Sequence, residues 1–146
     1  MPASVAGYSG TPLPKKLGLK EGQRVFLANA PRGFADELGP LPTAARRLRN
    51  AEAPLDFALL FVQSRAALER EFPELAALLA PAGMLWVAWP KKSSGVITDL
   101  GDEAVRTFGL STGLVDTKVC AINETWSGLR FVIRVKDRAA RVSRGR

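Results

Sequence analysis

Short apolar runs, separated by turn-forming and polar stretches, alternate along this chain between strand-like and helix-like patterns. Arg24-Val25-Phe26-Leu27-Ala28-Asn29 reads as the first strand, closed by Asn29-Ala30-Pro31. Phe34 to Leu38 suits a short helix stopped by Gly39-Pro40, and Arg46-Arg47-Leu48-Arg49 is either an exposed edge strand or a loop. Asp56 to Val62 is apolar on both faces, as a central parallel strand should be. Ser64 suits the N-cap of the following helix. Leu68, Phe72, Leu75 and Leu79 form one apolar stripe at helical spacing, and Pro73 divides it into segments 64–71 and 73–80. Ala80-Pro81-Ala82-Gly83 ends that layer, and Met84 to Trp89 is the next strand.

Past Trp89 the pattern changes. Asp102 to Gly109 has acids in its first turn and a closing glycine, the signals of a helix. Lys118 to Ile122 and Leu129 to Val135 flank Asn123–Gly128, and Leu129, Phe131, Ile133 and Val135 alternate with mostly polar neighbours. This pair predicts an antiparallel hairpin with a six-residue loop. Strand, helix, strand, helix, strand, helix and hairpin together predict an α/β, three-layer Rossmann-like sandwich: a mainly parallel sheet with a C-terminal antiparallel hairpin. Right-handed crossovers would place the loops after Leu27, Val62 and Trp89 along one edge of that sheet.

Composition narrows the chemistry. The 146 residues, 47% of them apolar, suit one domain with a real core. The division expected is an extended N-terminal arm over 1–23 packed on the body, a single α/β domain over 24–137, and a flexible basic tail over 138–146. No apolar run approaches the roughly 20 residues of a membrane span, and Met1 to Gly10 lacks the layout of a secretory signal. With one cysteine, Cys120, and no internal disulfide, these features predict a cytoplasmic protein that does not bind membranes. The absence of histidine removes Ser-His-Asp and Cys-His chemistry and every His-based metal site. The net charge of +7 is concentrated at the end, where residues 134–146 carry six basic residues and one acid. A solvated tail is the favoured reading of that run, and a nucleic-acid arm the alternative.

Several word-level runs resemble a small bacterial family catalogued only as a domain of unknown function. They are Ala6 to Leu13 with Lys15–Gly18, Leu85 to Lys92, Val115 to Ala121, and Glu124 to Phe131. That resemblance covers about residues 6–137 and implies no activity. Asp56 to Val62, the 64–80 helices, Met84 to Trp89 and the closing hairpin are also similar to the C-terminal half of class I S-adenosylmethionine-dependent methyltransferases. This likeness implies a methyltransferase-like but shortened fold. The family's glycine-rich cofactor loop is matched here by Ala28-Asn29-Ala30-Pro31-Arg32-Gly33, with one glycine, and Glu52 is a poor counterpart for its second-strand acid. No catalytic residue carries over, and no cofactor or metal is expected.

The candidate site lies where the Trp86–Trp89 strand stops at Pro90. Lys91, Lys92, Ser93, Ser94 and Gly95 offer two ammoniums, two hydroxyls and free backbone amides to an anion. The ordinary alternative is a solvated loop, and the spacing is not that of a P-loop. Tyr8, Ser9 and Thr11 suit a lid over the sheet edge, or an arm that covers apolar surface. Trp126, in the expected hairpin loop, either folds back over the body or forms a contact surface. Trp86, Trp89 and Cys120 read as core, and Asp116 with Lys118 as an ion pair. These residues favour a non-catalytic binding or regulatory module whose partner is a small anionic ligand or a protein. The alternatives are a degenerate methyltransferase or nucleotide/anion binder, and nucleic-acid binding through the tail.

Overall fold

A computed structural model describes residues 11–144. In chain order the elements are α1 (Leu13–Leu17), β1 (Arg24–Ala28), α2 (Phe34–Leu38), β2 (Arg46–Arg47), β3 (Leu55–Phe61), α3 (Arg65–Ala76), β4 (Leu79–Pro90), α4 (Asp102–Ser111), β5 (Leu114–Ala121), β6 (Trp126–Ile133) and α5 (Arg138–Arg144). The strands make one sheet in the order β2-β1-β3-β4-β6-β5. The first four run parallel, and the closing β5–β6 hairpin joins β4 antiparallel. The expected Rossmann-like α/β sandwich is therefore present. Among the described residues no helix is long and apolar enough to cross a membrane.

Alternation along the strands splits the interior into two cores. Ala58, Leu60, Val87, Trp89, Leu129 and Phe131 face α3 and α4, meeting Leu68, Phe72 and Val105. The alternate residues Phe57, Leu59, Phe61, Trp86 and Ala88 face the other way, under Leu17, Leu19, Phe34 and Leu38. Side chains on successive strand positions point to opposite faces, so Trp86 and Trp89 lie in different cores. The described part of the N-terminal arm shares that layer with α2, and Trp86 anchors it by donating from Nε1 to the Leu17 carbonyl at 2.8 Å.

Several boundaries differ from expectation. Pro73 does not split its helix: α3 runs unbroken from Arg65, capped by Ser64, whose Oγ accepts from the Ala67 amide at 3.1 Å. Pro73 withholds the donor for the Glu69 carbonyl. Both residues are exposed, so water can serve that oxygen while Leu68, Phe72 and Leu75 hold the buried side. Leu79 begins β4 instead of ending a helix, and Ala80–Gly83 is an irregular start to that strand, with a register shift against β3 between Leu55 and Phe57. The β5–β6 loop is 122–125, shorter than expected. Asn123 Oδ1 accepts from the amides of Thr125 and Trp126, both at 2.9 Å, and this turn starts β6 at Trp126. Val135 lies beyond the strand because pairing with β5 ends at Ile133. Gly109 does not close α4; it is buried inside it. The segment expected to be a flexible tail carries α5, whose Arg141 donates to the Ala76 carbonyl at 2.7 Å.

Candidate functional site

At the C-terminal end of β4, Pro90 pairs with Trp126 and the chain leaves the sheet. The Lys91 amide donates to the Thr125 carbonyl at 2.8 Å, which ties the exit to the hairpin loop. Lys92–Ser94 then forms a single 3₁₀ turn closed by Gly95 at φ 81°, a conformation that favours glycine. Ser94 is spent on the turn itself: its hydroxyl donates to the Lys91 carbonyl at 2.6 Å and accepts from the Val96 amide at 3.2 Å. Beyond Gly95 the chain is anchored again. Thr98 Oγ1 donates to the Gln63 carbonyl at 2.6 Å, and Asp99 accepts from the Arg65 amide at 2.8 Å. The result is a loop held at both ends with its lysines at the near side.

This loop faces the start of α4 across an open cleft of about 680 Å³. Trp89, Pro90, Lys91 and Lys92 line one side, and Leu100, Asp102, Glu103 and Ala104 the other, with Val119 and Ser127 from the hairpin. The α4 N-cap, Gly101, has no side-chain cap, and Asp102 and Glu103 complement the helix dipole in the first turn. The cleft therefore carries both signs of charge. Lys91 and Lys92 stand against Asp102 and Glu103, whereas Asp99 already serves the Arg65 amide. Ser93, Ser94 and Gly95 do not line the cleft, so of the five loop residues the structure brings only the two lysines to it. Asp102 and Glu103 were legible as a helix start, but nothing local connects them to Lys91 and Lys92.

The other candidates lie elsewhere. Trp126 is buried, edge-on to Phe61 at 5.0 Å, and Phe61 is edge-on to Phe34 at 4.9 Å. Tyr8 and Ser9 lie outside the described residues, and Thr11 is exposed. Asp116 does not pair with Lys118. It accepts from Arg106 Nε at 3.0 Å, while Lys118 Nζ donates to the Lys16 carbonyl at 3.0 Å. Cys120 is half-buried; burial pushes its thiol above the usual value, and Lys16, Lys118 and Arg130 pull it the other way. Among the described residues no group of three or more His, Cys, Asp or Glu side chains is placed to hold a metal.

In open α/β sheets ligands favour the crevice where the strand order reverses, here outside β1 and β3. There one side chain bridges the strand ends. Asn29, at φ 60°, donates from Nδ2 to the Phe61 carbonyl at 3.2 Å and to Glu71 Oε1 at 2.8 Å. Phe34, Phe61 and Trp126 pack over the strand ends on one face. Gly33, the single glycine of the loop, is spent as the N-cap of the five-residue α2.

No family model matches the sequence, and no curated protein matches it either. Solved structures do share its fold. TrmN from Thermus thermophilus aligns with 83% of this chain at a TM-score of 0.50 and 16% identity. This chain spans about half the length of that protein, 47% of it. A SAM-dependent methyltransferase from Aquifex aeolicus aligns with 90% of this chain and 93% of its own, at a TM-score of 0.49 and 17% identity. Magnesium protoporphyrin IX methyltransferase (ChlM) from Synechocystis PCC 6803 aligns at 0.44 and 10%, covering 83% of this chain and 74% of its own.

Proposed function

We propose that this chain is a non-catalytic binding module on a methyltransferase-like scaffold, and that its cleft beside Lys91 and Lys92 takes the anionic group of a small molecule. The observation that carries this reading is the open, anchored cleft at β4 with Lys91 and Lys92 in its lining. The loop after β1 is a poor match for S-adenosylmethionine: it has one glycine, spent on the α2 N-cap, where the family's loop is glycine-rich, and Asn29 bridges the Phe61 carbonyl and Glu71 beside it. Shared fold does not carry shared chemistry across such sites. The word-level resemblance to the small bacterial family of unknown function brings no reaction with it. Without histidine, a general base near neutrality would have to be a strongly shifted carboxylate, lysine or tyrosine.

In the cleft, the two ammoniums supply the attraction for an anion, and Trp89, Leu100 and Val119 supply apolar wall. Asp102 and Glu103 oppose a bare anion and favour a ligand that also carries a cationic group. A thermal-shift screen of α-amino acids, dicarboxylates and inorganic phosphate tests the reading. A ligand at ten times its Kd should add about 1.4 kcal/mol, roughly 4–5 °C in Tm. Lys91→Gln with Lys92→Gln should abolish that shift without moving the unliganded Tm. A saturable shift with S-adenosylmethionine would overturn the proposal in favour of a retained cofactor site.

A further inference from the structure

The cleft beside β4 has a rim as well as walls. The loop that frames it is held at both ends, by the Lys91 amide on the Thr125 carbonyl at 2.8 Å and by Thr98 Oγ1 on the Gln63 carbonyl at 2.6 Å. Its outer part carries Val96 and Ile97, and Ile97 is 94% exposed. Five large apolar side chains are exposed among the described residues, and three of them gather here: Val96 and Ile97 on the loop, and Val119 in the lining of the cleft itself. Scattered singly, such residues need no explanation. Gathered beside an apolar wall of Trp89, Leu100 and Val119, they mark a contact surface.

The charges of the cleft are unspent. Among the described residues no hydrogen bond or ion pair engages the side chains of Lys91, Lys92, Asp102 or Glu103. The lysines line one side and the acids the other, and they do not pair across the gap within one chain. Elsewhere on the same helix the opposite happens: Arg106 of α4 meets Asp116 of β5 at 3.0 Å. A cleft with opposite signs on its two sides is its own electrostatic complement. A two-fold axis running along it, between the sides, sets the lysines of each copy over the acids of the other.

A two-fold pair uses one patch twice, so its apolar knob and its apolar wall must both lie within that patch, as they do here. The anchors of the loop fix its tip beforehand, which lowers the ordering cost of association. We infer that the chain self-associates through this cleft as a two-fold dimer. Lys91 and Lys92 of each copy face Asp102 and Glu103 of the other, and Val96, Ile97 and Val119 are covered between them. One cleft and one loop tip make a small contact, of the weak and transient class. The dimer does not rest on the ligand reading: at the roughly 5 µM of a thermal-shift assay so small an interface leaves the chain monomeric. At high concentration an anion and a second copy compete for the same lysines.

The test is sedimentation equilibrium of the full chain from about 5 µM to about 1 mM, without added ligand. The wild type should dimerise reversibly with a Kd of about 50–200 µM. Ile97→Asp should weaken the dimer about tenfold or more, the loss expected of an apolar contact at the centre of an interface. Val135→Asp changes another exposed apolar residue, beyond the end of β6, and should leave the dimer unchanged. Lys91→Glu with Lys92→Glu, and separately Asp102→Lys with Glu103→Lys, should each abolish self-association by setting like charges face to face. An equimolar mixture of these two variants should associate again, within about threefold of the wild type, because each then meets its opposite. The dimer is overturned if the wild type is monomeric at about 1 mM. It is equally overturned if Ile97→Asp dimerises as well as the wild type, if Val135→Asp disrupts as strongly, or if the mixture of the two folded variants stays monomeric. Ile97 belongs to neither core, so its variant keeps the dimer falsifiable even if the α4 variant does not fold.

Discussion

At the scale of single residues, the tryptophans and Cys120 show how one side chain can serve two environments. Trp86 is fully buried, yet its one polar atom finds the Leu17 carbonyl, so a large ring ties the N-terminal arm to the sheet without leaving a donor unmet. Arg130 lies over the same ring at 5.8 Å. Cys120, on the edge strand β5, is partly removed from water, and burial outweighs three nearby cations in setting its thiol. The folded chain thus holds that proton more tightly than the unfolded chain does. The associated stability is fully present below the unfolded thiol value and is lost as pH rises through the folded value. Urea midpoints compared between about pH 7.5 and about pH 10.5, on either side of the ordinary thiol range, should therefore fall further for the wild type than for Cys120→Ala. Parallel slopes for the two proteins would refute this.

Among the elements, α4 carries the sharpest disagreement between local pattern and packing. Gly109 has the position of a helix stop, but the helix continues to Ser111 and the glycine faces Phe131. A Cβ placed there would lie 2.1 Å from Phe131 Cε2 and 2.4 Å from Cζ. That ring cannot retreat easily, because Phe131 is fully buried and edge-on to Phe72 at 5.2 Å. Alanine in a helix interior gains about 1 kcal/mol over glycine, whereas overpacking a core costs about 1–3 kcal/mol, sometimes more. The clash should win. Gly109→Ala is expected to lose about 2 kcal/mol net in urea unfolding, and a gain in stability would show that the ring yields freely. The hairpin makes the same point. Asn123 looked like the start of a longer loop, yet its side chain caps two amides and brings Trp126 into the strand.

At the scale of the whole molecule, the sheet gathers distant segments. The C-terminal helix α5 crosses back to the α3–β4 junction, where Arg141 donates to the carbonyls of Ala76 and Leu79 at 2.7 and 3.4 Å. A basic run at the end of a chain ordinarily reads as a frayed tail, and nothing within residues 138–146 reveals those acceptors. Replacing Arg141 with glutamine should cost about 1 kcal/mol, lowering Tm by roughly 3 °C in differential scanning calorimetry. An unchanged Tm would mean the helix contributes nothing to the fold. The cleft beside β4 has the same origin. Lys91 and Lys92 were legible because an apolar strand stops abruptly before them, but the acids opposite come from a helix start ten residues later.

The sequence by itself determined the α/β class, the buried strands at β3 and β4, and the exclusion of histidine chemistry. Burial and periodicity are short-range properties, written in which residues are apolar and how they are spaced. Tertiary structure alone decided the strand order, the bridge from Asn29 to Phe61 and Glu71, and the charges that share the cleft beside β4. Those depend on which segments meet in space. Packing settles that through shape and pairing between residues far apart in the chain, which no local pattern records.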